Sequence, residues 1–184
     1  MDIKINGVSF TSKVNRDSLR IREYGAYRSD ASFAAEFSGT FSGGIRAGME
    51  VKITEPSGTS EKTVWGGVIE KVTTKIVDRD FFTVGIFAKG YETLVSRRVE
   101  SAIDNTFSGA AAAFRYVYLN HLKAEGISLD SLIKDKAYPL EIKIGGAISL
   151  TELLDIICSY YGYVWWVDNS KCFHAAETLP VAEK

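Results

Sequence analysis

The apolar residues of this chain change their spacing once, near residue 95, and that change limits the folds open to it. Before it they mostly recur at every second position, the period of a strand with one face on a core. After it they recur at three and four, the period of a helix with one apolar stripe. The chain is therefore expected to be α+β, with an antiparallel β-barrel over residues 1–95. A small α+β domain of two helices, strands and a β-hairpin is expected over residues 96–184.

Within the first region, residues 2–5 and 8–14 flank Asn6-Gly7, a pair that supplies the positive φ angles of a tight hairpin. Leu19 and Ile21 alternate with arginines, and Ala31, Phe33, Ala35 and Phe37 alternate with smaller or polar residues. Val51 and Ile53 mark a further strand. The turn-rich Glu55-Pro56-Ser57-Gly58 leads from it into a long segment over residues 62–77, where Gly66-Gly67 predicts a bulge or sharp bend. A last strand covers residues 81–88. Six or seven strands at this spacing fit an antiparallel barrel or sandwich.

In the second region, Phe107, Ala111, Phe114, Tyr118 and Leu122 form one helical stripe that Gly126 can end, with Thr106 or Ser108 as the expected cap. Ser149 and Glu152 make a capping box ahead of Leu150, Leu153, Leu154, Ile157 and Tyr161, and Gly162 stands at the end. Residues 140–144 read as a strand. Residues 163–167 and 171–175 read as a hairpin around Asp168-Asn169-Ser170. So few elements make a thin core, and this domain is expected to lean on another part. Residues 177–184 carry no period, and the chain is expected to be a piece of a longer polypeptide.

The charge balance, 22 Lys plus Arg against 23 Asp plus Glu, offers no basic footprint for nucleic acid or an anionic membrane. No apolar run approaches the roughly 20 residues that cross a bilayer, and the first residues do not read as a signal peptide, so synthesis in a host cytoplasm is expected. Two cysteines, Cys158 and Cys172, are too few for a disulfide scaffold and read as reduced packing residues.

Chemistry is sparse. His121 lies beside the first helical stripe and reads as a half-covered boundary residue rather than a base. Cys158, Cys172 and His174 suggest zinc ligands, but no fourth ligand or Cys-x-x-Cys pair accompanies them. Ser42-Gly43-Gly44 and Ile144-Gly145-Gly146-Ala147 lack the endings of phosphate or dinucleotide loops and read as turns. The pairs Asp78/Asp80 and Asp130/Asp135 fall in loop-like sequence, without the opposed placement that glycosidase chemistry needs. No catalytic residue, metal site or cofactor site is assigned. Tyr160, Tyr161, Tyr163, Trp165 and Trp166 form an aromatic cluster in which alternation sends Tyr163 and Trp165 to one face and Trp166 to the other. One face is expected on the second helix. The other makes Tyr163, Trp165 and Trp166 candidate contact residues for a protein partner, with burial in a larger assembly and sugar stacking as the other readings.

Four stretches, in this order, resemble the hub proteins of phage tails and baseplates, which are related in fold to the base of type VI secretion spikes. They are residues 2–8 with 18–21 and 31–33; Val51-Lys52-Ile53 with Trp65-Gly66-Gly67-Val68-Ile69-Glu70-Lys71-Val72; residues 90–99, beginning Gly90-Tyr91; and residues 124–127 with 149–168. The resemblance implies a structural part of a virion tail, from phage or prophage, that joins tail tube to tail tip. It implies a ring-forming barrel that self-associates as a trimer and contacts tail-tube, tail-tip or spike proteins. Members are usually longer, with a second barrel. A carbohydrate- or host-surface-binding module is the alternative.

Overall fold

The structure, a computed structural model, describes residues 1–24, 28–38 and 44–178. The chain divides into two units, Met1–Tyr91 and Glu92–Lys184.

The described residues of unit 1 contain seven strands: β1 Asp2–Ile5, β2 Val8–Ser9, β3 Val14–Tyr24, β4 Arg28–Ser38, β5 Glu50–Ser57, β6 Ser60–Asp78 and β7 Phe81–Gly90. They form one sheet in the order β2-β1-β5-β6-β7-β4-β3, and every pairing is antiparallel. The first turn follows from its residues. Asn6 and Gly7 take φ of 46° and 79°, the paired positive angles of a two-residue hairpin loop. Asn6 also ties the turn to β5: its N–H donates to the Glu50 carbonyl, and its Oδ1 accepts the Glu50 N–H at 2.9 Å.

Alternation places Ala31, Phe33 and Ala35 of β4 in register with Ala88, Ile86 and Val84 of β7, and all six are buried. Ile3, Ile5, Val51, Ile53, Trp65 and Ile69 join them in one apolar core made of unit 1 residues alone. A sheet that buries one face against itself has to curl. Yet among the described residues no ladder joins the free edge of β3 to β1 or β2, so the expected barrel is not closed by strand pairing. The chain crosses between the two edges at residues 10–13. There the Phe10 N–H donates to the Ile3 carbonyl (2.8 Å), and the Lys13 carbonyl accepts from the Glu36 N–H (2.7 Å).

Gly66 and Gly67 do not form the bulge predicted for them. Both stay in register, opposite Lys52 and Val51, and the extra residue is Val64, between Ile53↔Trp65 and Thr54↔Thr63. The glycine that matters for space is Gly67, where a Cβ would lie 2.1 Å from the Lys89 carbonyl oxygen and 2.5 Å from the Trp65 ring. Close approach of another backbone is the other use of a strand glycine.

Unit 2 contains α1 Glu92–Ser96, β8 Val99–Glu100, β9 Ile103–Phe107, α2 Ala110–Val117, β10 Ser128–Leu129, β11 Leu140–Ile144, β12 Ile148–Ser149, α3 Leu150–Tyr161, β13 Val164–Val167 and β14 Cys172–Ala176. Strands β9 and β11 pair, as do β8 and β12, while β10-β14-β13 form a small sheet in which β10 and β14 are parallel. The α3 helix follows its sequence signals closely. The Ser149 Oγ accepts the Glu152 N–H, the Glu152 carboxylate accepts the Ser149 N–H, and Gly162 closes the helix at φ 69°.

The first helix departs from expectation in two ways. Phe107 belongs to β9, and Gly109, with no capping side chain of its own, precedes α2. Thr106 and Ser108 do not cap it. Asp135, 24 residues ahead, does so by accepting the Ala111 N–H at 3.0 Å. The helix then widens into a π-helical turn, Tyr118–Leu122, and a 3₁₀ turn, Lys123–Glu125, before Gly126 ends it at φ 71°. The buried stripe therefore runs Ala110, Ala113, Phe114, Val117 and Leu122, with a five-residue step at the π turn. Gly145-Gly146 links β11 to β12 as the expected turn. Of the other glycine stretch, Ser42 and Gly43 lie outside the described residues, as do residues 179–184 of the tail.

Candidate functional site

Both histidines are held by carboxylates. The π turn is the reason for the first arrangement. Tyr116 and His121 are five apart, about 140° out of alignment on a regular helix, and the wider turn brings them to one side. There the Tyr116 hydroxyl donates to Glu100 Oε2 at 3.2 Å, and His121 Nε2 lies 2.8 Å from the same oxygen. Burial, and then the Glu100 charge, pushes the Tyr116 hydroxyl pKa up. Next to this cluster, Arg98 forms an ion pair with Glu125. Together these contacts clamp residues 98–100 to the helix. A hydrolytic triad also needs a hydroxyl or thiol hydrogen-bonded to the imidazole, whereas the partner shown for His121 is the Glu100 carboxylate.

His174 lies on β14 between two carboxylates, Nδ1 2.7 Å from Asp130 and Nε2 3.1 Å from Asp168, with its ring stacked on Trp166 at 5.0 Å. Asp168 also accepts the N–H groups of Ser170 and Cys172, which shapes the β13–β14 turn. Burial pushes the Asp130 carboxyl up. The Leu132 N–H and His174 outweigh that, leaving it below its ordinary value. The two carboxylates face opposite sides of one imidazole, so the three side chains do not converge on a common point. Among the described residues, no group of three or more His, Cys, Asp or Glu is placed to hold a metal ion. Neither cysteine is activated: burial, then Asp155, pushes the Cys158 thiol up to about 12, and burial raises Cys172.

The aromatic cluster is used inside unit 2. Residues 130–139 contain no regular element, and three tyrosine hydroxyls hold them by donating to backbone carbonyls: Tyr163 to Lys134 (2.9 Å), Tyr161 to Tyr138 (3.1 Å) and Tyr160 to Pro139 (2.7 Å). Lys136 completes the junction. Its ammonium donates to the Tyr161 carbonyl at the end of α3, pairs with Glu177 at 2.9 Å and sits 4.8 Å above the Tyr163 ring.

Of the three candidate contact residues, Tyr163 and Trp166 are buried and only Trp165 is partly exposed. Trp165 stacks on Phe173 at 6.2 Å and donates its indole N–H to Asp155 at 2.9 Å. Simple alternation fails here because β13 is flanked on both sides, so Trp166 and Val167 are buried in succession. Trp165 and Trp166 thus each have one aromatic neighbour stacked on them within the unit, Phe173 and His174.

A patch of exposed apolar side chains lies in unit 1, where alternation alone gave no sign of it. At the β6–β7 turn, Ile76, Val77 and Phe81 are 78%, 63% and 57% exposed. Phe37 and Phe82 stack beside them at 5.8 Å, and Lys13 lies 4.8 Å above the Phe37 ring. A hollow of about 400 Å³ adjoins Lys13, Phe37 and Phe81. Exposed side chains of this size and proximity form a candidate contact surface.

No family model matches the sequence, and no curated protein matches it either. Solved structures do. The chain is similar over 95% of its length to the 43 kDa tail protein of prophage MuSo2 from Shewanella oneidensis (TM-score 0.63, 13% identity, 53% of that chain covered). It is similar over the same share to prophage tail protein gp18 from Listeria monocytogenes (TM-score 0.61, 16% identity, 50% covered). A tail protein from Neisseria meningitidis matches to the same extent (TM-score 0.62, 8% identity, 49% covered). The chain spans about half the length of these proteins, and at such identities the likeness is one of fold.

Proposed function

We propose that this chain, which shares its fold with prophage tail proteins across nearly its whole length, is a structural component of a phage-type tail, placed at the hub between tube and tip. The observation that carries this reading is the fold match to three tail proteins from different bacteria, each covering 95% of the chain. The polar clusters agree with a structural role, since the carboxylates around both histidines clamp strands and turns. In the assembly, the curled sheet of unit 1 acts as a ring-forming element, and trimers place the apolar β6–β7 turn against neighbouring tail proteins. Heterologous contacts that close around an axis bury surfaces of this kind.

Antibody labelling of purified tail particles tests the assignment. Label at the tube–tip junction is expected, and particles that contain no trace of the chain would overturn it. Light scattering of the chain over a wide concentration range tests the trimer. A strict monomer, with no association on added tail tubes, removes the ring-forming part.

A further inference from the structure

We infer that residues 70–78 of β6 form an acceptor edge to which an acidic, extended segment of a partner protein adds as a strand. The inference goes beyond the tail assignment and stands or falls separately from it. Strand β6 is longer than the neighbour on its outer side. Strand β5 pairs with it from Ser57↔Ser60 to Glu50↔Val68, and Ile69 makes two further hydrogen bonds, to Met49 and Gly48. Beyond Ile69, β6 pairs with β7 alone. The opposite backbone edge of residues 70–78 therefore carries no ladder among the described residues. Unpaired edges are templates for another strand.

Composition suits that use. Val72, Thr73, Thr74, Ile76 and Val77 are β-branched, which favours the extended conformation, and no proline interrupts the segment. Val72, Thr74 and Ile76 stand opposite Ile86, Val84 and Phe82 of β7, which in turn face Phe33, Ala35 and Phe37 of β4. They continue the core face of the sheet. Cover fades along that face: Ile86 and Val84 are buried, while Ile76 is 78% exposed. Apolar side chains on an added strand would extend the Phe37, Phe82 and Ile76 row.

The other face selects the partner by charge. Lys71 and Lys75 stand opposite Phe87 and Thr83, and neither makes an ion pair among the described residues, whereas Glu70 is matched by Lys89 at 2.9 Å. The other long free edge of the sheet, β3, carries Arg16, Arg20 and Arg22. A second copy that offered β3 to this edge would set arginines against lysines, and like charges on adjoining strands are destabilising. A strand with carboxylates four residues apart on one face and apolar residues on the other complements both faces.

The test uses the full chain and two nine-residue synthetic peptides, one alternating valine with aspartate and one alternating valine with lysine. Fluorescence anisotropy is expected to give about two- to thirtyfold tighter binding of the aspartate peptide, as two exposed charge pairs allow. Hydrogen exchange is expected to slow at residues 70–78 and to stay unchanged at residues 14–24. The double variant Lys71→Glu/Lys75→Glu should reverse the peptide preference with its melting temperature unchanged. Equal binding of the two peptides overturns the inference, as does protection elsewhere. Protection of residues 70–78 on concentrating the chain alone overturns it in favour of a second copy.

Discussion

Replacing Gly67 with alanine is expected to destabilise unit 1 by at least about 3 kcal/mol, the upper end for a methyl group forced into a packed interior. The added carbon would lie 2.1 Å from the Lys89 oxygen, 2.8 Å from the Lys89 carbonyl carbon and 2.5 Å from Trp65 Cη2, where ordinary contact begins at 3.4 Å. The oxygen alone would have to retreat by more than an ångström. Neither neighbour can yield cheaply. Lys89 is paired on both sides, with Asp30 and with Val68, while Trp65 is fully buried and its indole N–H donates to Ser29 at 2.9 Å. For a unit of this size each kcal/mol moves the melting point by roughly 4–8 °C, so a fall of about 12 °C or more is expected. Two units need not unfold together, so calorimetry should be paired with hydrogen exchange that reports each one. Gly145→Ala, where the new carbon meets nothing within 4 Å, is the control and should stay within about 0.5 kcal/mol. A Gly67→Ala protein melting within about 2 °C of the parent would refute the steric reasoning.

Asp135→Ala should cost about 0.5–2 kcal/mol in urea unfolding by uncapping α2, whereas Thr106→Ala and Ser108→Ala should be near neutral. Glu100→Ala and His121→Ala should couple by about 0.5–3 kcal/mol in a double-mutant cycle, and strict additivity would mean that the pair contributes nothing. Acid should loosen unit 2. The Ser149 hydroxyl, followed by its N–H, holds the Glu152 carboxyl below its ordinary 4.5, and Asp130 sits below 3.8. A carboxyl lowered by folding contributes stability above its unfolded pKa and loses it as pH falls through the folded value. Melting points taken from pH 7 downward should therefore drop below about pH 4.5, and Glu152→Gln should flatten that drop.

Local chemistry was legible in the sequence. Asn6-Gly7 gave the first hairpin because few residues tolerate two positive φ angles in succession. Ser149, Glu152 and Gly162 delimited α3 because each acts on backbone within one turn of itself. Alternation located β4, β5, β7 and β11, whereas the single strand expected over residues 8–14 is split into β2 and the crossing at residues 10–13, and Ile21 of β3 is exposed. The π turn was not legible, since Phe114, Tyr118 and Leu122 fit a regular stripe, and only the shared carboxylate of Glu100 rewards the wider turn. Nor was the placement of the aromatics. Alternation assigns a side chain to a face, but the cover on that face comes from segments distant in sequence, here residues 130–139 and Phe173.

By itself, then, the sequence determined the α+β class, the strand-rich first region and the ends of the best-marked helix, because these depend on contacts within a few residues. Only the tertiary structure decided that no ladder among the described residues closes the seven-stranded sheet, that Asp135 caps a helix 24 residues back, and that Ile76, Val77 and Phe81 are exposed together while Trp166 is buried. The physical reason is common to all three. Edge pairing, capping across a loop and residual exposure depend on which distant segments meet, and residue spacing along one strand or helix carries no record of that.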